Sequence, residues 1–425
     1  MALVIYKRSP ACYRLLRRIF ALPCQSSLNK LLNRLPLKPG INGHIFSALK
    51  KMAQNYSDEN NICILSFDEI SIKKHLYYNS QQDEVQGFQD HGHHGKSIGV
   101  ATKALVFMLS GIKRKWKQPI AFYFSNTLNA DRLTVILKEV LKECFDAHMN
   151  VVATVCDLST VNLKVLKTLG ATTQEPFFSL YGREIVSILD PPHLLKCTRN
   201  LFMKHDNECS TDIQNNENPV KGVAKWSHIE AFYKLDKNNA NFVFAPALTE
   251  NHLHPNLKQQ MRVQLAAQIF SHSVAAGILA KIASNELPSE AHATATLLKK
   301  IDNLFDSVNA DTAGLRRGKK YSTIMTKTSP HLALFFEMRK FSSSMKFLNN
   351  RTMPPSQEGW IHTLNAIEKL YDNLKKIYVS TRRLNQDPLE NFFACVRYNC
   401  GSNTNLTIQQ FIAGIKTASS SSSWH

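Results

Sequence analysis

The sequence predicts an α/β fold interrupted by a long helical stretch, and three observations carry that prediction. Short runs rich in β-branched and aromatic residues alternate with amphipathic segments from about residue 59 to residue 200. Strand signals then fade, and helical periodicity dominates to about residue 378. A last amphipathic segment, residues 386–397, carries an acid, as two strand ends of the first part do. The chain is therefore read as a basic helical segment (1–58), the first part of an α/β core (59–200), an inserted helical domain (201–378), and the rest of the core with a tail (379–425).

At 425 residues, with 44% hydrophobic and 20% charged side chains, the chain can bury several cores and has neither disordered nor fibrous composition. Its formal charge of +19 points to a polyanionic partner, nucleic acid foremost. No apolar run is read as approaching the roughly eighteen residues that cross a bilayer, so no membrane partner is expected. The nine cysteines include no C-x-x-C pair and no zinc-type Cys/His spacing. Reduced thiols are expected, rather than a zinc finger or a disulfide framework.

Residues 9–51 read as short amphipathic helices broken by Pro10, Pro23, Pro36 and Pro39, with Leu15, Leu16, Ile19, Leu28, Leu31, Leu32 and Leu35 as core candidates. This helix-turn-helix-like unit carries Lys7, Arg8, Arg14, Arg17, Arg18, Lys30, Arg34, Lys50 and Lys51, opposed only by Asp58 and Glu59, and is a candidate phosphate-contacting module. A positive helix start before Ile19-Phe20-Ala21-Leu22 also has transit-peptide character, but Pro10 and the long basic continuation fit a folded module better.

Strands are expected at 62–67, 75–78, 104–109 and 120–124, as an antiparallel meander. Asp131 opens a helix whose Leu133, Ile136, Leu137, Val140, Leu141 and Cys144 follow 3.6-residue spacing. A strand at 151–155, a helix at 161–169 and a strand at 184–189 follow, and Asp190-Pro-Pro-His193 opens a further helix. In the inserted part, residues 207–218 read as a polar tract, and 256–284 and 289–308 as long helices. Ser419–Ser423 reads as a frayed tail.

Asp68 in ICILSFDEI and Asp157 in VVATVCDLSTVN end apolar strands, while Glu390 in QDPLENFFACVR sits on the late helix. Acids just past strand ends lie where an open α/β sheet presents its ligand crevice. Two strand-end acids joined by a third from a distant helix are how an RNase H-like nuclease or transposase fold builds a site for Mg²⁺ (or Mn²⁺). Paired ions about 4 Å apart can activate an attacking oxygen and stabilise a leaving oxygen of a phosphodiester. The expected chemistry is phosphoryl transfer on nucleic acid.

Several ordered stretches carry a family resemblance: SPACYRLLRRIFALPCQSSLNKLL, ILSFDEISIKK, CDLSTVN, ILDPPHLLKCTRN, LHPNLKQQMRVQLAAQIFSHSVAAGI, NLFDSVNA and LNQDPLENFFACVR. In that order they resemble the P-element transposases and their THAP9-like relatives. The resemblance implies an RNase H-like catalytic core interrupted by a large α-helical GTP-binding insertion, in a nuclear cut-and-paste DNA transposase acting on transposon ends and target as a homo-oligomer. It implies Asp68, Asp157 and Glu390 as the catalytic, metal-binding triad. GTP would be a cofactor that organises protein and DNA without being hydrolysed, held by Lys258, Val274, Phe305, Asp306, Asn309 and Asp387. Such relatives usually start with a THAP zinc module, and this chain begins after the point where it would end, so recognition by that module is expected to be missing.

The residues alone do not indicate a GTPase. His94-Gly95-Lys96-Ser97 ends like a P-loop, but the first glycine of that motif would fall on Asp90, and no N-K-x-D signature is present. Glu69, Asp190 and His193 are nearby residues that either assist the acids or serve as turn and packing residues. His91, His93 and His94 read as solvent-exposed loop histidines in preference to metal ligands. Lys113-Arg114-Lys115-Trp116-Lys117 at a hairpin, Arg316-Arg317 and Lys319-Lys320 are candidate DNA contacts, import signals or solvated faces. Two other functions stay open: a domesticated, non-catalytic DNA- and GTP-binding scaffold or repressor, and a ribonuclease acting on RNA–DNA hybrids, which suits the large insertion less well.

Overall fold

The computed structural model describes residues 2–33, 37–79, 83–211, 220–239, 242–311, 319–375 and 378–419. Arg34, Leu35, Pro36, residues 212–218, Arg316, Arg317 and residues 420–423, all singled out above, lie outside the described residues.

Five strands and three helices form the first part of the core: β1 (Ile62–Ser71), β2 (Lys103–Gly111), β3 (Lys117–Ser125), α1 (Ala130–Asp146), β4 (Asn150–Cys156), α2 (Thr160–Leu169), β5 (Arg183–Leu189) and α3 (Pro191–Phe202). The strands lie in the order β3-β2-β1-β4-β5. β1, β2 and β3 run antiparallel as the expected meander, whereas β4 pairs parallel with β1 and with β5. Phe177–Leu180 extends one edge beside β5, and Phe88–Asp90 with Lys96–Val100 extends the other beside β3. The strand expected at 75–78 forms instead at Tyr77–Asn79, in a separate two-stranded ribbon with Glu84–Gln86.

Both sheet faces are buried, and the two-residue period of a strand assigns them. Leu105, Phe107 and Leu109 enter the core with Leu133, Ile136, Leu137 and Val140 of α1. Ala104, Val106 and Met108 face the other way, with Phe122 and Phe124. That second face is covered by α6 (Asp387–Asn399) and α7 (Ile408–Ser419), introduced below with the other late helices. On α6, Leu389, Phe392, Phe393 and Val396 follow i, i+3, i+4, i+7 spacing and are all buried there. The helix at 408–419 was not anticipated, although Phe411 and Ile415 complete this core.

The insertion contributes α4 (Ala291–Val308) and α5 (Pro355–Asn373) among other helices. It is not purely helical: Asn207–Thr211 pairs with Val220–Ala224 and with Lys346–Phe347 in a three-stranded sheet. The strand pairs with a near neighbour on one side and with a segment remote in sequence on the other, pairings that a polar composition does not advertise. The helix expected over 256–284 is three helices, Leu257–Gln260, Val263–Ile269 and His272–Ala283. The last break follows from Ser271, whose hydroxyl accepts from the Val274 amide as an N-cap. Val263–Ala283 has the length (21 residues) and mean hydropathy (1.4) of a membrane span, contrary to the expectation that no run approaches one. Ala266, Ile269, Phe270, Val274, Ala275 and Ile278 within it are buried in the main core.

α5 closes the insertion onto the α/β core. The buried Trp360 donates its Nε1–H to Thr198 Oγ1 of α3 at 2.9 Å, and the Thr363 hydroxyl donates to the Leu189 carbonyl of β5 at 2.9 Å. At the N-terminus, Leu3, Tyr13 and Leu28 form a small core of their own. Leu15, Ile19 and Leu31, expected inside, are exposed, because Tyr13 takes the central place and donates its hydroxyl to the Pro23 carbonyl at 2.7 Å.

Candidate metal centre and insertion-domain face

The last paired residues of β1 and β4 are Ser66 and Val155. Asp68 and Asp157 each lie two residues farther along, so the parallel register carries both acids beyond the end of the β1–β4 pairing; Asp157 follows β4, whereas Asp68, expected to end its strand, lies within β1, which stays paired with β2 to Ser71. Asp157 Oδ1 accepts from the Ser159 amide at 3.1 Å and from Asn162 Nδ2 at 2.6 Å, contacts that fix its carboxylate at the start of α2. Asp68 Oδ1 accepts from the Glu69 amide at 2.7 Å. Glu69 itself turns away to Lys103, 2.6 Å from its carboxylate.

Glu390 lies in the first turn of α6, on the exposed side opposite the buried stripe. The turn is anchored by Gln386, whose backbone N–H donates to Asp190 Oδ1 at 2.8 Å and whose side-chain amide donates to the Phe67 carbonyl at 2.7 Å. Asp190 follows β5, caps α3 through the His193 amide at 2.9 Å, and is buried.

Burial and neighbouring acids raise Asp68 and Asp190. The half-buried Asp68 is pushed up from 3.8 to about 7, first by burial, then by the negative charge of Asp157, with Glu390 and Asp190 adding to it against the Glu69 hydrogen bond. Asp190 is likewise raised to about 7 by burial and by Glu390, opposed by its amide partners and by Lys196. His193 is lowered by burial and by Lys196, with Asp157 opposing. Four carboxylates and one buried lysine thus surround the ends of β1, β4 and β5. Asp190 and Gln386 had only weak signals in the sequence: the proline pair after Asp190 marks a helix cap, and Gln386 precedes a predicted helix.

This donor set suits Mg²⁺ or Mn²⁺, which take oxygen ligands, and a cation would relieve the repulsion that raises Asp68. Among the described residues, the set of three or more possible ligands whose atoms all lie within 4.8 Å of one another is His93, His94 and Glu139, not the acids. The acids are therefore spread more widely than the ligands of one ion.

In the insertion, Asp302, Phe305 and Asp306 share one face of α4 by i, i+3, i+4 spacing, and Asn309 is the residue that caps the helix at its C-terminus. The His272 amide, at the start of the helix carrying the buried Val274, donates to Asp302 Oδ2 at 3.1 Å. Lys319 Nζ lies 2.8 Å from Asp306 and 3.9 Å from Asp302. Asp302 is raised to about 6, by burial and by Asp306, against Lys319 and the His272 amide. Asn309 Oδ1 accepts from Asn385 Nδ2 at 3.2 Å, and Asn385 Oδ1 accepts from the Asp387 amide at 3.0 Å. The polar run thus extends from the His272 amide through Asp302, Asp306 and Asn309 to Asn385 and Asp387 at the start of α6, while Val274 is buried in the core beneath. Lys258 is exposed on the one-turn helix Leu257–Gln260.

Three domain families match the chain in sequence: TNP-like, RNase H N-terminal domain, over residues 37–170; TNP-like, GTP-binding insertion domain, over residues 192–321; and TNP-like, RNase H C-terminal domain, over residues 383–414. The chain belongs to the P-element and THAP9-like transposase family. Its fold is accordingly an RNase H-like core split by a GTP-binding insertion domain. The Drosophila melanogaster protein "Transposable element P transposase" is 25% identical over 421 residues, 96% of this chain and 52% of that protein. The human "DNA transposase THAP9" is 26% identical over 424 residues, 93% of this chain and 45% of that protein. The chain spans about half the length of these curated relatives. The solved "Drosophila P element transposase strand transfer complex" matches in fold with a TM-score of 0.81 at 24% identity, covering 98% of this chain and 89% of the other.

Proposed function

We propose that this family member is the core of a DDE-type DNA transposase, cleaving and joining DNA strands with Mg²⁺ (or Mn²⁺), with guanine nucleotide as a non-hydrolysed cofactor. The observation that supports this most is the β1–β4 register, which brings Asp68 and Asp157 out beyond the end of their shared pairing, where Asp68 feels the negative charge of both Asp157 and Glu390. The three acids would hold the metal, which when bound supplies an activated nucleophilic oxygen and charge neutralisation at the scissile phosphate. Asn162 and the Ser159 amide hold Asp157 in place, and Gln386 holds the turn that presents Glu390. Lys196, buried among the acids, is placed to offset their charge.

The formal charge of +19 suits a DNA partner, and DNA chemistry implies a nuclear protein. The polar run from the His272 amide to Asp387, with Phe305 available for stacking and Lys319 for phosphate, is the proposed nucleotide site. Assembly as a homo-oligomer on transposon ends belongs to the same reading.

The test is strand cleavage and joining by the purified full chain, using duplex ends from the DNA that flanks its coding sequence, supercoiled plasmid as target, Mg²⁺, and GTP or a non-hydrolysable analogue. Products that need the metal and vanish in Asp157→Ala support the reading. Equal activity in the variant excludes it, and DNA and GTP binding without strand chemistry identifies a non-catalytic scaffold.

A further inference from the structure

His93 is exposed, as expected of a loop histidine, and His94 is half-buried, but both imidazoles meet one carboxylate. His93 Nε2 lies 3.3 Å from a carboxylate oxygen of Glu139, and His94 Nε2 lies 3.0 Å from that carboxylate. The rings stand 4.0 Å apart, and the three ligand atoms all lie within 4.8 Å of one another. Glu139 comes from α1, 45 residues from His94, so the cluster joins the loop to a helix remote in sequence.

The loop is held in shape before any ion arrives. The Gly92 amide donates to Asp90 Oδ1 at 3.0 Å, and the His91 amide donates to the Gly95 carbonyl at 3.0 Å. Gly92, at φ +65°, packs so closely on the strand Gly40–Ile41 that a β-carbon there would lie 2.7 Å from the Gly40 α-carbon. Two flanks of the loop are thereby fixed, and the two imidazoles turn toward α1.

A tetrahedral zinc ion with bonds of about 2.0–2.1 Å separates neighbouring ligand atoms by roughly 3.3 Å. The two His–Glu separations, 3.3 and 3.0 Å, are hydrogen-bond contacts here and lie near that edge length, and the two imidazole nitrogens lie within 4.8 Å of each other. Two imidazole nitrogens and one carboxylate oxygen are a donor set that zinc takes, with water completing the fourth position. The acids near Asp68, all oxygen donors, suit a different ion.

We propose that His93, His94 and Glu139 form a second metal site, for Zn²⁺ or a similar divalent transition ion, that staples the loop after the Phe88–Asp90 strand to α1. Its role is to lock an edge of the sheet, apart from the acid cluster. Neither strand chemistry nor nucleotide binding is required for it to exist.

The test uses the full chain, stripped with chelator and titrated with Co²⁺ and Zn²⁺ in a large excess of Mg²⁺, which occupies the oxygen-donor acids. Wild type is expected to bind one equivalent of Co²⁺ with the strong visible absorption of four-coordinate cobalt, displaced by Zn²⁺, and to melt at a higher temperature with Zn²⁺. His93→Ala/His94→Ala should weaken binding by more than about 100-fold, beyond what loss of an outer-shell partner does. Glu139→Gln should give a smaller loss and an altered cobalt spectrum, and serves if the double variant folds poorly. Asp157→Ala should retain the full signal. The proposal is overturned if wild type binds no more Zn²⁺ or Co²⁺ than the double variant, or if the signal disappears with Asp157→Ala instead.

Discussion

Gln386 donates from its backbone to Asp190, 196 residues away, and from its side chain to the Phe67 carbonyl, 319 residues away. One residue therefore fixes the start of α6 against the ends of β5 and β1, four residues before Glu390. Replacing it by Ala keeps the backbone bond and orphans the Phe67 carbonyl. The expected costs are about 1–3 kcal/mol of stability in urea unfolding and a fall in strand-cleavage rate of about tenfold or more, with DNA affinity nearly unchanged. A variant as active as wild type would show that Glu390 finds its place without this anchor.

Asp157→Asn removes one negative charge while keeping the side-chain shape. Strand cleavage should fall by about a thousandfold, corresponding to several kcal/mol of lost metal-centred stabilisation at roughly 1.4 kcal/mol per decade. In chelator, thermal stability should hold or rise, since Asp157 repels Asp68 in the metal-free protein. A drop in melting temperature with intact activity would contradict both halves of this expectation.

The raised Asp68 predicts a pH signature with a definite sign. In the unfolded chain it ionises near 3.8 and in the folded chain near 7, so folding holds a proton that the unfolded state has released. Its contribution is fully present below about pH 4, is lost as pH rises toward 7, and stays lost above. Comparison with Asp68→Asn in chelator isolates this group from the histidines. The variant's stability relative to wild type should increase from pH 4 to pH 7 and then level off, and Mg²⁺ should erase the difference above pH 7. A flat difference across that range would mean Asp68 does not carry the proton.

Phe305→Ala tests the nucleotide face. Loss of one stacking partner is worth about 1–3 kcal/mol per base, so guanine nucleotide binding measured by calorimetry should weaken by roughly five- to 150-fold. DNA binding without nucleotide should be untouched. Unchanged nucleotide affinity would move the site away from α4.

The sequence made Asp68, Asp157 and Glu390 legible because each interrupts or borders an apolar pattern with a clear period. The five core strands were equally plain, since both sheet faces are buried and the runs are dense in Val, Ile and Phe. Asp190 and Gln386 were harder, because their importance lies in hydrogen bonds to residues hundreds of positions away. The strand Asn207–Thr211 was hidden for a similar reason: its partners, not its side chains, make it a strand. Glu139 gave no hint of His93 and His94, as it looks like any solvated acid on an amphipathic helix. The break at Ser271 was readable in principle, being a serine cap between two apolar turns.

α5 docks on Thr198 and Leu189 before the chain reaches α6. During synthesis, a ribosome that has finished both aspartates and the whole insertion has still produced no complete acid set. The last member arrives only with residue 390, after the intervening domain is available to guide the chain home. Under the proposed function, a product that stops before α6 would lack the third acid, a consequence of connectivity alone.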